Sequence, residues 1–182
     1  MKKLFRISVF AVTVAILLLL SYNAMLYLYP REYNELITKY ASKYSLDESL
    51  IYAIIKCESG FDQNAYSNAG AIGLMQITPD TYEWAANKSG ETYANKDELY
   101  DTETNIKYGC YIYSILKSEF EDDKTTLAAY NAGRGKVLSW LEDKNYSSDG
   151  ILLNDIPYPE TSNYVDKVIV TQKIYSLLYY RG

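Results

Sequence analysis

Glu58-Ser-Gly-Phe-Asp62, followed after four residues by Ser67-Asn-Ala-Gly-Ala-Ile-Gly-Leu-Met-Gln-Ile77, is the stretch of sequence that decides the fold. Its first part sets one carboxylic acid at the end of an apolar helical pattern, and its second part is a loop of small residues. Gly70 and Gly73 in that loop suit backbone with positive φ or the close approach of another group. We therefore expect a site in which a carboxyl group protonates a bulky ligand that lies against the loop.

Apolar residues recur at helical spacing on both sides of this stretch. Helices are predicted over residues 33–40, 46–59, 78–88, 101–116, 124–131, 135–141 and 161–180. Few segments alternate strictly between polar and apolar residues, so the predicted fold class is mainly α. At most a minor β element is expected, near Ile72–Gln76 or near Ile151–Ile156.

Local motifs predict some details of these helices. Ser45 and Glu48 have the spacing of a capping box at a helix start. Thr78-Pro79 has the pattern of an N-cap followed by proline at the first helical position. Gly109 lies within the long central helix, where the missing side chain would let a neighbouring helix approach closely.

The first 29 residues have the composition of a membrane anchor. Lys2, Lys3 and Arg6 precede an uncharged run of 23 residues, Ile7–Tyr29, and a helix of about 20 apolar residues spans a bilayer. The run ends in no convincing small-x-small cleavage site, so a retained anchor is favoured over a cleaved signal peptide. Because the basic residues precede the run, the N-terminus is expected in the cytoplasm. Residues 1–29 are thus predicted to be a single-pass anchor, and residues 30–182 one domain on the cell-wall side of the membrane.

Composition excludes several kinds of site. Without the three basic residues before the span, 15 basic residues stand against 23 acidic ones, a poor match for a nucleic-acid partner. The chain has no histidine and only Cys57 and Cys110, so neither a zinc site nor a nucleophile paired with histidine is expected. No metal and no cofactor is predicted. The two cysteines could form a disulfide or remain buried thiols, and both alternatives stay open.

Glu58 is the candidate acid. A glutamate in water has a pKa of about 4.3 and is ionised at neutral pH, but burial against residues such as Met75, Ile77 or Tyr130 could raise its pKa to about 6. A carboxyl group of that kind can protonate a glycosidic oxygen. The alternative is an exposed charge near a helix C-terminus, a position that the helix dipole makes unfavourable for a negative group.

A second carboxylate of the kind that glycosidases usually use is not evident. Asp62 follows the helix break at Gly60 and is predicted to be a turn residue, while Glu160 lies far along the chain among aromatic and polar residues. A mechanism with one acid is therefore preferred. In it, Glu58 protonates the leaving oxygen, the substrate's own N-acetyl group stabilises the anomeric carbon, and Glu58 then activates the sugar's own 6-hydroxyl group.

Two further clusters complete a family pattern: Ala128-Ala-Tyr130-Asn131-Ala-Gly133 and Ile156-Pro-Tyr-Pro-Glu160-Thr-Ser-Asn-Tyr164-Val165. With the Glu58 stretch, they resemble in order and spacing the motifs of the soluble lytic transglycosylase (SLT) catalytic domain. This is the family-one group of lytic transglycosylases, with a goose-type lysozyme-like fold. The resemblance covers roughly Tyr44 to Leu178. It implies a helical, lysozyme-like domain behind the anchor that acts on the glycan strands of peptidoglycan.

The resemblance also implies roles for individual residues and a reaction. Glu58 would be the catalytic acid and base, and the substrate-binding residues would be Ser67, Met75, Gln76, Tyr130, Asn131, Glu160 and Tyr164. The reaction implied is non-hydrolytic cleavage of the β-1,4 bond between N-acetylmuramic acid and N-acetylglucosamine, which leaves a 1,6-anhydromuramyl end. Two positions depart from the family pattern: Cys57 beside the acid, and Ser162 where a basic residue is common.

Each of these roles has a simpler structural alternative. Met75 and Tyr130 could be core packing, Ser67 a loop cap, and Gln76 a partner of the local backbone. Asn131 could likewise bond the local backbone, and Glu160 could be an acid stabilised by a helix N-terminus. At the level of function, a hydrolytic muramidase and a non-catalytic wall-binding module remain the alternatives.

Overall fold

A computed structural model describes residues 2–120 and 122–180, with no description of the side chains of residues 2–4. The outer ends of the two predicted domains, at residues 1 and 181–182, and the basic side chains of Lys2 and Lys3 lie outside the described part. Eight α-helices are described: α1 (Lys2–Leu28), α2 (Asn34–Lys43), α3 (Glu48–Glu58), α4 (Pro79–Ser89), α5 (Thr102–Glu119), α6 (Asp123–Ala132), α7 (Arg134–Glu142) and α8 (Pro159–Tyr179). A 3-10 helix, Lys96–Tyr100, precedes α5. The described residues contain no strand, which confirms the mainly α prediction.

The chain divides into two compact units between Glu32 and Tyr33. The first contains α1, whose segment Phe5–Leu28 has 24 residues and a mean hydropathy of 2.2, long and apolar enough to cross a membrane. Its side chains from Phe5 onward are largely exposed, as expected for a helix whose partner would be lipid. A signal sequence would meet the same criteria of length and composition.

Helix α3 is the centre of the second unit. Every residue from Ser49 to Ile55 is buried, which indicates that the helix is enclosed on all sides. It packs most extensively against α8 and also contacts α2. Ile51, Ile54 and Ile55 are fully buried, and each contributes roughly 1.5–3 kcal/mol by leaving water. The C-terminal end of α3, where Glu58 lies, is therefore held by the core.

Two predicted helix starts have different outcomes. Thr78 is the N-cap of α4, accepting a hydrogen bond from the Thr81 amide at 3.3 Å, as its sequence predicts. The capping box at Ser45 is wrong. Asp47 caps α3 instead, with its carboxylate accepting from the Ser49 amide at 2.8 Å. Ser45 adopts a left-handed conformation with φ 55° and so belongs to the preceding turn.

The loop between α3 and α4 carries the minor β structure. Ile72 forms isolated antiparallel bridges to Tyr66 and Ile77, within the first of the two predicted β regions. Residues 151–156, the alternative region, contain no β structure among the described residues. The bridges fold the loop back on itself and place its residues beside the end of α3.

Gly109 allows a close approach, but not by a helix as predicted. A Cβ atom at this position would lie 2.2 Å from Sδ and 2.9 Å from Cβ of Met75, a fully buried residue of the α3–α4 loop. Helix α5 thus supports that loop directly, and the absence of a side chain at Gly109 makes room for the methionine.

We predict that Gly109→Ala lowers the free energy of unfolding by about 1–3 kcal/mol, because the added methyl group would overpack against Met75. Gly135→Ala is the matched control. Gly135 also lies in a helix but has open space around its Cβ position, so alanine there should stabilise by about 0.5–1 kcal/mol. Thermal unfolding of the full chain in detergent, followed by circular dichroism, measures both. Equal effects of the two variants would contradict the contact.

Candidate active site

Glu58 opens into a cleft of about 530 Å³ at the end of α3. The cleft is formed by the α3–α4 loop, α5, the junction of α6 and α7, and the start of α8. Six predicted site residues line it: Glu58, Ser67, Gln76, Tyr130, Asn131 and Glu160. The fold thus brings together residues from all three sequence clusters, which lie up to about a hundred positions apart.

The Glu58 carboxyl group is held in a poorly hydrated environment. Burial raises its pKa from an ordinary value of 4.5 to about 7, against weaker opposing effects of the Tyr164 hydroxyl group and the Lys167 charge. Glu58 is also the last residue of α3, where the helix dipole disfavours a negative charge. At neutral pH the group is therefore about half protonated and can either give or take a proton.

Tyr164 interacts with Glu58 but does not line the cleft. Its hydroxyl group is buried and completes no hydrogen bond of standard geometry with any described residue. Burial, and then the Glu58 charge, raise the pKa of Tyr164 well above its usual range. The side chain is thus a neutral phenol that can stabilise the ionised form of Glu58.

Tyr130 faces Glu58 from α6 and is fixed by a hydrogen bond. Its hydroxyl group donates to the Met75 carbonyl oxygen at 2.8 Å, and its ring lies 5.9 Å from that of Tyr113, measured between centroids. Burial raises the pKa of Tyr130 well above its usual range, and the Glu58 charge adds to the shift. Tyr130 therefore combines a cleft wall with a fixed polar group.

The predicted site residues of the α3–α4 loop differ in whether their side chains reach the cleft. The Met75 side chain is fully buried and is absent from the cleft lining, which corrects the prediction that it lines the cleft. Gln76 does line the cleft, although its amide group donates to the carbonyl oxygens of Ala65 and Gly73. The Ser67 hydroxyl accepts a hydrogen bond from the Ala71 amide at 3.0 Å, as a loop cap would, and also lines the cleft.

The remaining acids are exposed. Asp62 accepts a hydrogen bond from the Asn64 amide at 2.9 Å and does not line the cleft, so it is the turn residue that its sequence predicts. Glu160 lies in the first turn of α8 and lines the cleft. Both alternatives for Glu160 thus hold together: it is a helix N-terminal acid and a cleft residue.

Neither cysteine forms a disulfide. Cys57 and Cys110 are free thiols, and the Cys57 thiol donates to the Thr171 hydroxyl at 3.7 Å. Across residues 2–120 and 122–180 no group of three acidic, histidine or cysteine side chains could hold a metal ion.

A second chamber of about 660 Å³ continues the cleft between α4, α5 and the α6–α7 junction. The two chambers share Thr81, Ile112, Tyr130 and Gly133. Trp84, with 43% of its surface exposed, lines the second chamber, and its ring has amphipathic character suited to a partly wet surface. The whole groove is longer than the cleft beside Glu58 alone.

Sequence reasoning missed several residues at the site. Lys167 acts on Glu58 from α8, and Thr81 and Ile112 join the two chambers. A fourth is Asn105, which is buried in α5 and bonded to the α3–α4 loop. The sequence could have indicated Asn105. It is a polar residue in the apolar helical pattern that also contains Ile106, and a polar side chain buried there needs hydrogen-bond partners.

Comparisons with known proteins point to one family. The family described as the transglycosylase SLT domain matches residues 35–152. The soluble lytic murein transglycosylase of Escherichia coli K12 is 33% identical over 150 residues, which cover 81% of this chain and 23% of that protein. Membrane-bound lytic murein transglycosylase C of Actinobacillus pleuropneumoniae serotype 5b is 32% identical over 167 residues, which cover 80% of this chain and 46% of that protein.

A solved structure agrees with these matches. An inactive Glu-to-Gln mutant of the lytic transglycosylase Slt from Pseudomonas aeruginosa superposes with a TM-score of 0.71 at 32% identity. The alignment covers 82% of this chain and 24% of that chain. The present chain thus spans between 23% and 46% of the length of these relatives.

We predict that Glu58→Gln makes the protein more stable at pH 8 than the parent by up to about 3 kcal/mol. Between pH 4.5 and about 7 the folded state holds a proton that the unfolded state has released, so the parent loses stability as the pH rises through this window. The amide of the variant never ionises, and the two proteins should therefore have similar stability below pH 4.5.

Urea unfolding at pH 4 and pH 8 measures this difference. Glu160→Gln is the matched control, because its side chain lies in the same cleft but is exposed; it should change stability little at either pH. A Glu58→Gln variant with no gain at pH 8 would show that the carboxylate is well hydrated.

Proposed function

We propose, from the premise that this chain belongs to the transglycosylase SLT domain family, that its second unit is a peptidoglycan lytic transglycosylase. The unit has the mainly helical, lysozyme-like fold of that family. The observation that carries the proposal is the Glu58 carboxyl group, whose pKa is raised to about 7 at the wall of a cleft lined by both other family motifs. The substrate would be the glycan strands of peptidoglycan.

The first step of the proposed reaction uses the protonated form of Glu58. The carboxyl group gives its proton to the oxygen of the β-1,4 bond between N-acetylmuramic acid and N-acetylglucosamine, and the bond from C1 to that oxygen breaks. The N-acetylglucosamine side leaves with a free 4-hydroxyl group. The carbonyl oxygen of the muramyl N-acetyl group binds the electron-poor C1, so no second carboxylate is needed at this step.

The second step uses the carboxylate that the first step has formed. Glu58 takes the proton from the muramyl 6-hydroxyl group, and that oxygen attacks C1 while the N-acetyl oxygen departs. The product is a 1,6-anhydromuramyl end, no water is consumed, and Glu58 regains its proton. A pKa near 7 suits a group that must both give and take a proton near neutral pH.

Other cleft residues would hold the sugar for these steps. Because the Ser67 oxygen accepts from Ala71, its own hydrogen remains able to donate to the substrate's N-acetyl group. Asn131 is exposed in the cleft and can bond a sugar hydroxyl. Gln76 has both donors turned to the backbone, so its carbonyl oxygen is the atom that can contact the substrate.

The second chamber favours a polymeric substrate. A single chamber of this size already has the volume of a typical small-molecule pocket, and the two share one wall at Tyr130 and Ile112. A glycan strand that passes Glu58 would continue into the second chamber, where Trp84 offers a ring face to a sugar.

A hydrolytic muramidase is the second candidate, because Glu160 lines the same cleft as Glu58. In that reaction Glu160 would activate water or stabilise the charge at C1. Its exposed side chain favours the first proposal, which requires no role for it in the chemistry. The non-catalytic wall-binding module is disfavoured because burial of Glu58 serves no purpose in binding alone.

For the location, we propose that residues 1–29 remain as a single-pass anchor in the cell membrane, with the catalytic unit on the cell-wall side. Helix α1 is long and apolar enough to span the bilayer. One of the related proteins is described as membrane-bound. Tethering would keep the active site close to newly made wall.

We predict that the full chain, in detergent with purified peptidoglycan, releases fragments whose muramyl ends are non-reducing and lighter by one water than hydrolysis products. Mass spectrometry of the released muropeptides, before and after reduction with borohydride, makes this distinction. Reducible muramyl ends would support the muramidase instead, and binding without release of any fragment would support the wall-binding module.

We predict that Glu58→Gln lowers kcat/KM for cleavage by at least about 10³-fold, while glycan binding is retained. Asp62→Asn is the matched control, because Asp62 lies four residues away but outside the cleft; it should keep nearly full activity. The fall in turbidity of a wall suspension gives the rate of cleavage. Co-sedimentation of the protein with wall material measures binding. A comparable loss in the two variants would point to a two-carboxylate mechanism.

A further inference from the structure

Asn105 is an unusual feature of the core of the second unit. Only 1% of its surface is exposed, and its side chain makes three hydrogen bonds to backbone. Its Nδ2 donates to the carbonyl oxygens of Ile72 at 2.9 Å and Leu99 at 2.8 Å, and its Oδ1 accepts from the Met75 amide at 2.8 Å. Both amide hydrogens and the carbonyl oxygen are thus used, as a buried amide requires.

Gly73 shows how closely the α3–α4 loop lies on this amide. A Cβ atom at Gly73, where φ is 76°, would lie 2.3 Å from Asn105 Nδ2 and 2.5 Å from the Leu99 carbonyl oxygen. No side chain fits there unless the loop or Asn105 moves. The position of the loop is therefore set by contact with Asn105.

The contact continues to the acid through Met75 and Tyr130. Asn105 holds the amide of Met75, and the carbonyl of the same residue accepts the Tyr130 hydroxyl hydrogen at 2.8 Å. A phenol has one hydrogen to donate. With that hydrogen on Met75, Tyr130 has none left to donate to Glu58, whose charge acts on it from the same cleft. Tyr130 therefore gives the carboxylate no hydrogen bond that would favour the ionised form.

We propose that Asn105 is a positioning residue of the active site, which holds the Met75 carbonyl so that Tyr130 turns its hydrogen away from Glu58 and the acid keeps its proton. The inference rests on the proposed function and names a further residue for it. Without Asn105 the carbonyl moves, Tyr130 is free to donate to the Glu58 carboxylate, and the pKa of Glu58 falls.

The other groups around Glu58 are the same with and without Asn105. Tyr164 and Lys167 face it from α8, Cys57 precedes it on α3, and Glu160 lines the same cleft. None of them contacts Asn105 through a described hydrogen bond. A shift caused by Asn105 should therefore pass through Tyr130.

The test compares Asn105→Ala and Gly73→Ala, which disturb the same contact from its two sides, in the full chain in detergent. We expect the alkaline limb of the kcat profile against pH to move down by about one unit, so that kcat at pH 7 falls about fivefold, with a smaller change in KM. Ser147→Ala is the matched control: Ser147 is also fully buried and hydrogen-bonded, to Asp149 and Gly150, but its partners do not line the cleft. It should lose stability with no change in the profile.

A double-mutant cycle with Tyr130→Phe identifies the route. If Asn105 acts through the Tyr130 hydroxyl, Asn105→Ala should shift the profile no further in the Tyr130→Phe background. Additive shifts, an unmoved limb in both contact variants, or loss of the folded state in both would overturn the proposal, because Asn105 would then serve the scaffold alone.

A readout without catalysis separates this proposal from the proposed function. The stability gained by Glu58→Gln at pH 8 reports the Glu58 pKa directly, and it should be smaller in the Asn105→Ala background than in the parent. A smaller gain in a protein that cleaves no wall would support the linkage between Asn105 and Glu58 while removing its proposed use. An equal gain would overturn the linkage even in an active enzyme.

Discussion

Withdrawal of one carboxyl group from water is the constraint on which the rest of the site depends. Glu58 ends the most enclosed helix of the second unit, and its partly exposed side chain lines the cleft there. A charged group in such a position opposes folding above its unfolded pKa. The fold carries this cost because the same burial keeps a transferable proton near neutral pH, as functional sites often do.

The loop after α3 must be rigid for this burial to hold. Gln76, with φ 48°, and Phe61, with φ 74°, adopt left-handed backbone conformations that side chains other than glycine disfavour. Conformations of this kind persist where surrounding contacts over-determine them. Here those contacts are hydrogen bonds. The Gln76 side-chain amide donates to the carbonyl oxygens of Ala65 and Gly73, and the Met75 backbone amide donates to Asn105.

The sequence predicted the parts of this arrangement that depend on local rules. Helical periodicity and the cap at Thr78 need only neighbouring residues, and each of the three motif clusters contains residues that line the cleft. The errors arose where contacts between residues far apart in the sequence determine the local conformation. Ser45 lost the capping role to Asp47 because the preceding turn holds it in a left-handed conformation. Met75 was expected in the cleft, but its side chain is buried in the core, where it packs against Gly109. No local pattern indicates that a glycine of α5 will lie against Met75 and leave room for its side chain.

The raised pKa of Glu58 is the result of opposing effects, and this balance suits the two roles proposed for the residue. Burial favours the neutral acid and is the largest effect on the group. The Tyr164 hydroxyl and the Lys167 charge act in the opposite direction, and both come from α8, the helix that packs most extensively on α3. The hydrogen of the Tyr130 hydroxyl is committed to Met75, so Tyr130 adds no hydrogen bond in favour of the carboxylate. An acid with support for both of its states passes between them at small free-energy cost, and a mechanism in which one carboxyl group first gives and then recovers a proton requires that property.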